Sequence, residues 1–193
     1  MTLIDIKSLI ESAVPGIALK IVRESLLVEN PADLPRAAAF LKNSDLKMDY
    51  LSSVTAADYL QFLETVYHFY SMEKKTGPVV LRVRVKRENP VIPSLVPLYR
   101  SAEYQEREAF DLYGINYEGH PDLRRVFMWE GFEGFPLRKD YCQEDSETLE
   151  AVDIEWLEKH KIQIPAEMKQ KAEELKAQGK RAIAQKPTEK EPT

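Results

Sequence analysis

The sequence predicts an α+β fold, with a mostly antiparallel sheet of about five strands, helices packed on one side and an extended C-terminal arm. Three observations lead to this class. Segments with the apolar spacing of a helix lie between segments in which apolar and polar residues alternate. A short turn joins two of the clearest strands, as antiparallel neighbours require. Regular periodicity then ends at Gly114, although aromatic, glycine and proline residues continue beyond it.

The N-terminal part of the chain predicts a helix, a β-hairpin and a second helix. Apolar residues recur there at helical spacing, at Ile6, Leu9, Ile10, Ala13 and Val14. Thr2 is placed to cap this first helix, and Pro15-Gly16 ends it. Residues 17–30 predict two short strands, and residues 35–42 predict a helix with proline at its start. This order excludes an all-β fold.

Three further strands are predicted at residues 48–56, 62–70 and 79–87. The middle strand carries apolar or aromatic residues on both faces, which is typical of an interior strand. Residues 74–78 predict the turn into the last strand. In that strand apolar and basic residues alternate, which predicts one face in water: Leu81, Val83 and Val85 alternate with Arg82, Arg84 and Lys86.

The next segment predicts a loop followed by a long helix. Three prolines within residues 89–97 disfavour regular strand pairing, and residues 95–113 then have helical spacing, with Gly114 as the C-terminal stop. One face of this helix predicts a ladder of ion pairs between Glu103, Arg107 and Asp111.

These segments divide the chain into three parts. Residues 1–114 form the predicted α+β core, and residues 115–141 form the predicted extended arm. Residues 142–193 are a charged extension, predicted to be partly helical with a disordered end.

The composition excludes several classes of function. Cys142 is the only cysteine, and His68, His120 and His160 lie far apart, so no four-ligand zinc or iron–sulfur site is expected. A net charge of −5 gives no general attraction for nucleic acid. The N-terminus lacks the features of a signal or transit peptide, and no stretch predicts a membrane span. We therefore expect no cofactor in this chain and a location on the cytoplasmic side of a membrane.

A catalytic site is the first alternative to test, because acidic residues are dense at residues 106–111. Glu106 and Glu108 point in different directions on a helix and cannot flank one bond. Glu108 and Asp111 could share a face, which leaves a hydrolase as an alternative hypothesis. The standard nucleotide-binding and nucleophile-elbow motifs are absent from the sequence.

Glu106 falls on the apolar stripe of the predicted helix without a helical neighbour of opposite charge. A buried carboxylate is costly unless it is paired. The hypothesis is that Arg124, Arg125 or Arg138 neutralises it and holds the arm onto the core. An exposed Glu106 at the margin of the stripe is the alternative.

Residues 106–141 also carry a family resemblance. Their sequence, EREAFDLYGINYEGHPDLRRVFMWEGFEGFPLRKDY, resembles the signature of the C subunit of respiratory complex I, the NADH:quinone oxidoreductase. The resemblance covers the helix end and the arm, whereas the strands before them match only in pattern. The sequence resembles the separate C subunit and not a fusion with the D subunit.

The resemblance implies a structural and assembly subunit of the hydrophilic arm of the complex, beside the D subunit near the quinone site. The whole complex would use NADH, FMN, iron–sulfur clusters and quinone and would couple electron transfer to proton translocation. The D subunit and neighbouring iron–sulfur subunits are the implied partners. The implied location is peripheral, on the cytoplasmic side of the bacterial inner membrane, with no catalytic centre in this chain.

The resemblance also implies which residues dock on partners: Glu106, Arg107, Glu108, Asp111, Gly114, His120, Pro121, Asp122, Leu123, Arg124, Arg125, Pro136, Leu137, Arg138, Lys139, Asp140 and Tyr141. Phe135 departs from the family, where many relatives have histidine, so no proton-transfer role is expected there. Related ferredoxin- or deazaflavin-dependent quinone reductases and membrane-bound hydrogenases contain a similar module. The electron donor of the complex therefore stays open at this point.

Overall fold

The computed structural model of the chain describes residues 2–129 and 131–141. Its helices are α1 (Leu3–Ala13), α2 (Leu34–Asn43) and α3 (Ala102–Tyr113), with a 3-10 turn at Pro31–Asp33. Its strands are β1 (Leu19–Val22), β2 (Ser25–Val28), β3 (Tyr50–Asp58), β4 (Leu63–Ser71), β5 (Thr76–Val85), β6 (Val91–Pro93) and β7 (Asn116–Glu118). The predictions for residues 142–193 lie outside the described residues.

Strands β1 to β5 form one sheet in the order β1-β2-β5-β4-β3. The β2–β5 pair is parallel and the other neighbours are antiparallel, which confirms the predicted mostly antiparallel sheet of five strands. Strand β4 lies between β5 and β3, as its apolar residues on both faces predicted.

The core lies between the helices and one face of this sheet. Leu81 of β5 is opposite Tyr67 of β4, and Val79 is opposite Phe69. Leu81, Tyr67 and Phe69 are fully buried, and they join the buried faces of α1 and α2 in one apolar cluster. Burial of apolar side chains such as Leu81 and Phe69 contributes roughly 1.5–3 kcal/mol each through loss of contact with water.

Helix α3 begins at Ala102 and not near residue 95 as predicted. Residues 95–101 form successive turns instead, with hydrogen bonds from Leu98 N–H to Leu95 C=O and from Ala102 N–H to Tyr99 C=O. Pro97 disfavours helical geometry at the residue before it, and the Leu95 N–H is used by the Glu106 side chain. These two constraints place the start of the helix at Ala102 instead of residue 95.

Two short strands were not predicted, because prolines were expected to prevent pairing in residues 89–97 and residues 115–141 have no sustained periodicity. Strands β6 and β7 form a parallel pair, with Asn116 N–H donating to Pro90 C=O and Ser94 N–H donating to Glu118 C=O. In a parallel ladder only alternate residues of β6 bond to β7. The missing N–H of Pro93 therefore falls at a position that the ladder does not use. The predicted arm thus begins inside the folded domain.

Helix α3 lies along the open edge of the sheet at β3. The Gln105 side chain accepts a hydrogen bond from Val54 N–H at 2.6 Å, and the Ser101 hydroxyl donates to Leu51 C=O at 2.9 Å. These bonds satisfy backbone groups that an edge strand leaves unpaired. They also fix the helix that carries the residues of the candidate site.

Candidate docking site on α3 and the arm

Helix α3 carries three buried charged side chains. The sequence placed Glu106 on the apolar stripe of this helix and placed Arg107 and Asp111 in the ladder of ion pairs. Glu106 and Asp111 are 0% exposed and Arg107 is 5% exposed. Buried charges require specific partners. The partners of Arg107 and Asp111 lie in the arm, whereas those of Glu106 lie in the loop before the helix.

Asp111 binds the backbone of the arm. Its Oδ2 atom accepts hydrogen bonds from the N–H groups of Val126, Phe127 and Met128 at 2.9, 2.7 and 3.0 Å. Its Oδ1 atom accepts from Arg125 Nη1 at 3.2 Å. Burial acts to raise the pKa of Asp111, but these four donors outweigh burial and hold the pKa below its usual value. The carboxylate is therefore ionised and fixes the conformation of residues 125–128.

Arg107 holds the preceding stretch of the arm through its carbonyl groups. Its Nε and Nη2 atoms donate to the carbonyls of Arg124 and Arg125 at 3.2 and 3.5 Å, and Nη1 lies 3.8 Å from an Asp122 carboxylate oxygen. The predicted ladder of Glu103, Arg107 and Asp111 is therefore wrong. Arg107 and Asp111 bind the arm in preference to each other, because both are buried under it.

His120 closes the turn at the start of this stretch. Its Nδ1 atom accepts a hydrogen bond from Asp122 N–H at 3.0 Å, so the proton of the neutral ring lies on Nε2. Nε2 then donates to Glu103 C=O at 2.9 Å. His120 ties the arm to α3 as a turn residue.

Glu106 does not bind an arginine of the arm, so the predicted arginine lock is wrong. Its Oε2 accepts from the Ser94 hydroxyl at 2.6 Å, and its Oε1 accepts from Leu95 N–H at 2.8 Å. Burial raises the pKa of Glu106 to about 7, although both donors act to lower it. The alternative of an exposed Glu106 is also wrong, because this side chain is fully buried.

The three arginines proposed for that role bind elsewhere. Arg124 pairs with Asp122 at 2.9 Å, Arg125 binds Asp111, and Arg138 Nε donates to Tyr113 C=O at 2.7 Å. Ser94 and not an arginine binds Glu106, because the turns before α3 bring residues 94–95 against the helix. The arm is held through Asp111 and Arg107 instead.

The end of the arm packs on the C-terminus of α3. The ring of Phe135 lies on Gly114, where φ is +72°, and a β-carbon added at Gly114 would approach that ring to 2.4 Å. The guanidinium of Arg138 lies 4.6 Å from the centre of the same ring. Leu137 N–H donates to Leu112 C=O at 3.1 Å. A glycine is therefore needed at residue 114 for the chain direction and for the close approach.

Asp58, at the end of β3, forms a second anchor that the sequence did not reveal. Its carboxylate accepts from Lys139 N–H at 2.9 Å and from Leu60 N–H at 2.7 Å, and it pairs with Arg87. Arg87 also binds Asp140 at 2.5 Å. Burial acts to raise the pKa of Asp58, but these donors outweigh it and lower the pKa. No local motif marks Asp58, because its partner Lys139 is distant in sequence.

Comparison with known proteins assigns the chain to a family. The family described as the 30 kDa subunit of the respiratory-chain NADH dehydrogenase matches residues 27–147. The chain belongs to this family. The match includes all the anchors described above, and it begins within β2 and extends through β7.

Two relatives illustrate the similarity to the 30 kDa subunit family. The chain is 46% identical over 118 residues to C subunit 2 of the NADH-quinone oxidoreductase of Rhizobium meliloti (strain 1021), covering 58% of this chain and 62% of the relative. It is 44% identical over 98 residues to the J subunit of the chloroplastic NAD(P)H-quinone oxidoreductase of Lemna minor. This alignment covers 48% of this chain and 62% of the relative. The chain therefore spans about six-tenths of the length of these relatives.

A solved structure shares the fold. A chain of the membrane-bound sulfane sulfur reductase, an archaeal respiratory membrane complex, aligns with a TM-score of 0.59 at 22% identity. The alignment covers 83% of this chain and 92% of the other. At this identity the likeness concerns the fold alone.

In this member of the 30 kDa subunit family, the anchored arm presents apolar side chains to water. Val126, Phe127 and Trp129 are 41%, 57% and 64% exposed, and we call these three residues the docking ridge. The backbone of Val126 and Phe127 is held by the buried Asp111. Exposed apolar groups on a rigid backbone are typical of a protein-binding surface.

The remaining signature residues have separate positions. Leu123 packs against the core, Asp140 binds Arg87, and Tyr141 N–H donates to Arg138 C=O at 3.1 Å. Glu108 and Pro121 are exposed. Since Glu108 is in water and Asp111 is enclosed by donors of the arm, the paired carboxylates of the hydrolase hypothesis are not assembled. Among residues 2–129 and 131–141, no three His, Cys, Asp or Glu side chains are grouped to hold a metal ion.

Proposed function

We propose that this chain is a structural and assembly subunit of the hydrophilic arm of respiratory complex I. It packs beside the D subunit near the quinone site and supports electron transfer from NADH to quinone coupled to proton translocation. The observation that carries the proposal is the docking ridge, because Asp111 of α3 holds the backbone of residues 126–128 with three hydrogen bonds. Membership in the 30 kDa subunit family supports the assignment to this complex.

The apolar surface of the docking ridge is more stable in contact with a partner protein than in contact with water. Large exposed side chains at Phe127 and Trp129 leave apolar surface in solvent, and covering it with a partner recovers about 25 cal/mol per Å². The fixed backbone lowers the entropy lost on binding, since residues 125–128 are already ordered by Asp111. A rigid apolar surface is what a permanent contact between subunits requires.

In this proposal the chain supplies no catalytic centre. NADH, FMN, iron–sulfur clusters and quinone are handled by other subunits, chiefly the iron–sulfur neighbours and the D subunit. The signature residues act on the assembly by holding the arm in its binding conformation. Loss of the docking ridge should therefore reduce the amount of complex, and the activity of each assembled complex should change less.

The proposed location is peripheral, on the cytoplasmic side of the bacterial inner membrane. None of the helices among the described residues is long and apolar enough to cross a membrane. The chain would reach the membrane through its partners. Release from membranes together with the other hydrophilic subunits, under conditions that leave membrane subunits behind, would test this location.

The direct test is copurification of the tagged chain from solubilised native membranes, with an assay of NADH:quinone activity. Recovery with quinone-site, iron–sulfur and flavin subunits supports the proposal, and recovery as a soluble monomer contradicts it. Phe127→Glu should abolish copurification by placing a charge in the contact. Met72→Glu is the matched control, because Met72 is similarly exposed, at 60%, on the β4–β5 turn.

The second candidate keeps the module but changes the electron donor. The fold shared with a chain of an archaeal respiratory complex favours testing it. In that case the chain would copurify with ferredoxin- or deazaflavin-dependent reductase subunits or with hydrogenase subunits. Flavin-containing NADH-input subunits in the purified complex, with NADH-dependent quinone reduction, would decide for complex I.

A further inference from the structure

The face of the sheet opposite the helices carries a row of cations. Arg82 and Arg84 of β5 lie on this face, and Lys86 continues the same alternation at the end of the strand. We call these residues the cation row. The sequence predicted that this face is simply in water. In the structure, however, the side chains of Arg82 and Arg84 are only 21% and 37% exposed.

One carboxylate organises the row. Glu64 of β4 lies opposite Arg84, and its side chain is 1% exposed although it is on the face away from the helices. Its two oxygens accept from Arg82 Nη1 at 2.6 Å and from Arg84 Nε at 2.7 Å. The two guanidinium groups therefore cover Glu64 and are held in fixed positions above the strand.

This arrangement leaves donors and positive charge at the surface. Beyond Glu64, Arg82 donates to the Ser25 hydroxyl at 2.7 Å, and Arg84 lies 4.6 Å from the centre of the Phe62 ring. A guanidinium has five N–H groups, so most of those on Arg84 have no acceptor among the described residues. The row has three cations against the single Glu64, in a protein whose net charge is −5.

We propose that the cation row binds an extended, acidic segment of a partner protein. Residues two apart on β5 are about 7 Å apart on one face. An extended peptide with an acid at every second residue repeats at the same spacing. Its carboxylates would meet Arg82, Arg84 and Lys86 in turn, and guanidinium groups bind carboxylates with two parallel hydrogen bonds.

The surroundings of the row suit such a segment. Val66 and Leu27 lie beside Arg82 on the same face, and they are 9% and 8% exposed. Because these two side chains are buried, the cations beside them supply the groups that a partner can reach. His68 lies next along β4, and its Nδ1 atom is buried without a hydrogen-bond partner among the described residues. This surface is separate from the docking ridge, and the inference does not depend on the proposed function.

The test is a titration of the full chain with a fluorescein-labelled octapeptide of alternating Glu and Val at physiological salt. The corresponding Gln/Val peptide is the neutral probe. We expect saturable binding of the acidic peptide and binding of the Gln/Val peptide at least about tenfold weaker. Absence of binding to the acidic peptide, or equal binding of both peptides, overturns the proposal.

The decisive variant replaces Arg82, Arg84 and Glu64 together by glutamine. It removes both guanidinium groups without leaving the buried Glu64 unpaired, and it lowers the net charge by one. Arg36→Gln on α2 is the matched control, because it also lowers the net charge by one and breaks a pair with a carboxylate, Asp33. The triple variant should bind at least about tenfold more weakly, and Arg36→Gln should bind as the wild type.

Two further measurements keep the result interpretable. Arg84→Gln alone should weaken binding severalfold, and it tests the proposal even if the triple variant does not fold. Vesicles of anionic phospholipid and single-stranded RNA are competing ligands, and equal dependence of their binding on the row overturns the assignment to a protein segment. Self-association of the wild type that the triple variant lacks, measured by light scattering, would also overturn it.

Discussion

The sheet and the arm of this protein are stabilised in different ways. In the sheet, Leu81, Tyr67 and Phe69 are fully buried side chains that belong to one apolar cluster. In the arm, none of the described residues after β7 is buried, and the backbone is held by the carboxylates of Asp111 and Asp58. Stability is therefore spread over many apolar side chains in the sheet, whereas the arm depends on a few polar contacts, chiefly those of Asp111 and Asp58.

This difference indicates how the two regions should respond to substitution. Loss of one apolar group weakens the sheet in proportion to the area lost, because its neighbours still contact each other. Loss of one anchor removes several hydrogen bonds at once and leaves the donors without an acceptor. The arm should therefore detach while the sheet remains folded, which separates assembly from folding.

The largest expected effect is that of Asp111→Asn. The variant loses the charge that pairs with Arg125 and places an amide beside backbone donors, at a cost of about 3–5 kcal/mol. The expected result is a large increase in hydrogen exchange at residues 125–128, with exchange in β4 and β5 unchanged. Glu108→Gln, an exposed acid on the same helix, is the control. Unchanged exchange in the arm would show that Asp111 is not its anchor.

Leu81→Ala tests the other side of the comparison. It removes a fully buried side chain from the centre of the sheet and should lower the free energy of unfolding by about 3 kcal/mol. Urea denaturation measures this change, and Leu60→Ala is the control because Leu60 is 58% exposed. If Leu81→Ala loosened the arm before the sheet, the two regions would not be independent.

The pH dependence of stability isolates Glu106. Its pKa is raised from 4.5 to about 7 by burial, so the folded state holds a proton that the unfolded state has lost between these pH values. The contribution of Glu106 to the free energy of unfolding is largest below pH 4.5. It decreases as the pH rises and becomes constant above about pH 7. The loss should be on the order of 3 kcal/mol.

Burial and Arg82 lower the pKa of His68, which gives a smaller trend of the opposite sign below pH 6.5. The useful quantity is therefore the difference between wild type and Glu106→Gln in urea denaturation across pH 5–8. The free energy of unfolding of the wild type, relative to that of Glu106→Gln, should decrease as the pH rises from 5 to about 7. A constant difference would mean that Glu106 stays ionised in the folded protein.

Gly114→Ala has the smallest expected effect on free energy. The left-handed backbone conformation disfavours alanine by about 1–2 kcal/mol, and the new methyl group would meet the Phe135 ring. The expected result is displacement of residues 135–138, seen as faster exchange at Leu137 and Arg138. Gly119→Ala is the control, since Gly119 also has positive φ but an added β-carbon meets nothing within 4 Å. Equal effects of both variants would assign the loss to backbone strain alone.

The sequence alone determined the α+β class, the five strands of the main sheet, the positions of α1 and α2, and the family resemblance of residues 106–141. Apolar periodicity is a local property, and the faces of a helix or strand follow directly from it. The loss of periodicity after Gly114 is also local, but the division of the chain at that residue stays a prediction, since β7 lies beyond it.

Only the tertiary structure decided which polar groups meet. Ser94, not an arginine of the arm, binds Glu106, and Asp58 meets the backbone of Lys139, which is 81 residues away. The pairing of β6 with β7 was likewise not predicted. A buried carboxylate requires hydrogen-bond donors, and the sequence shows this requirement. The sequence does not show which groups donate, because several of them are chemically equivalent. The path of the folded chain brings one set within hydrogen-bonding distance and leaves the others in water.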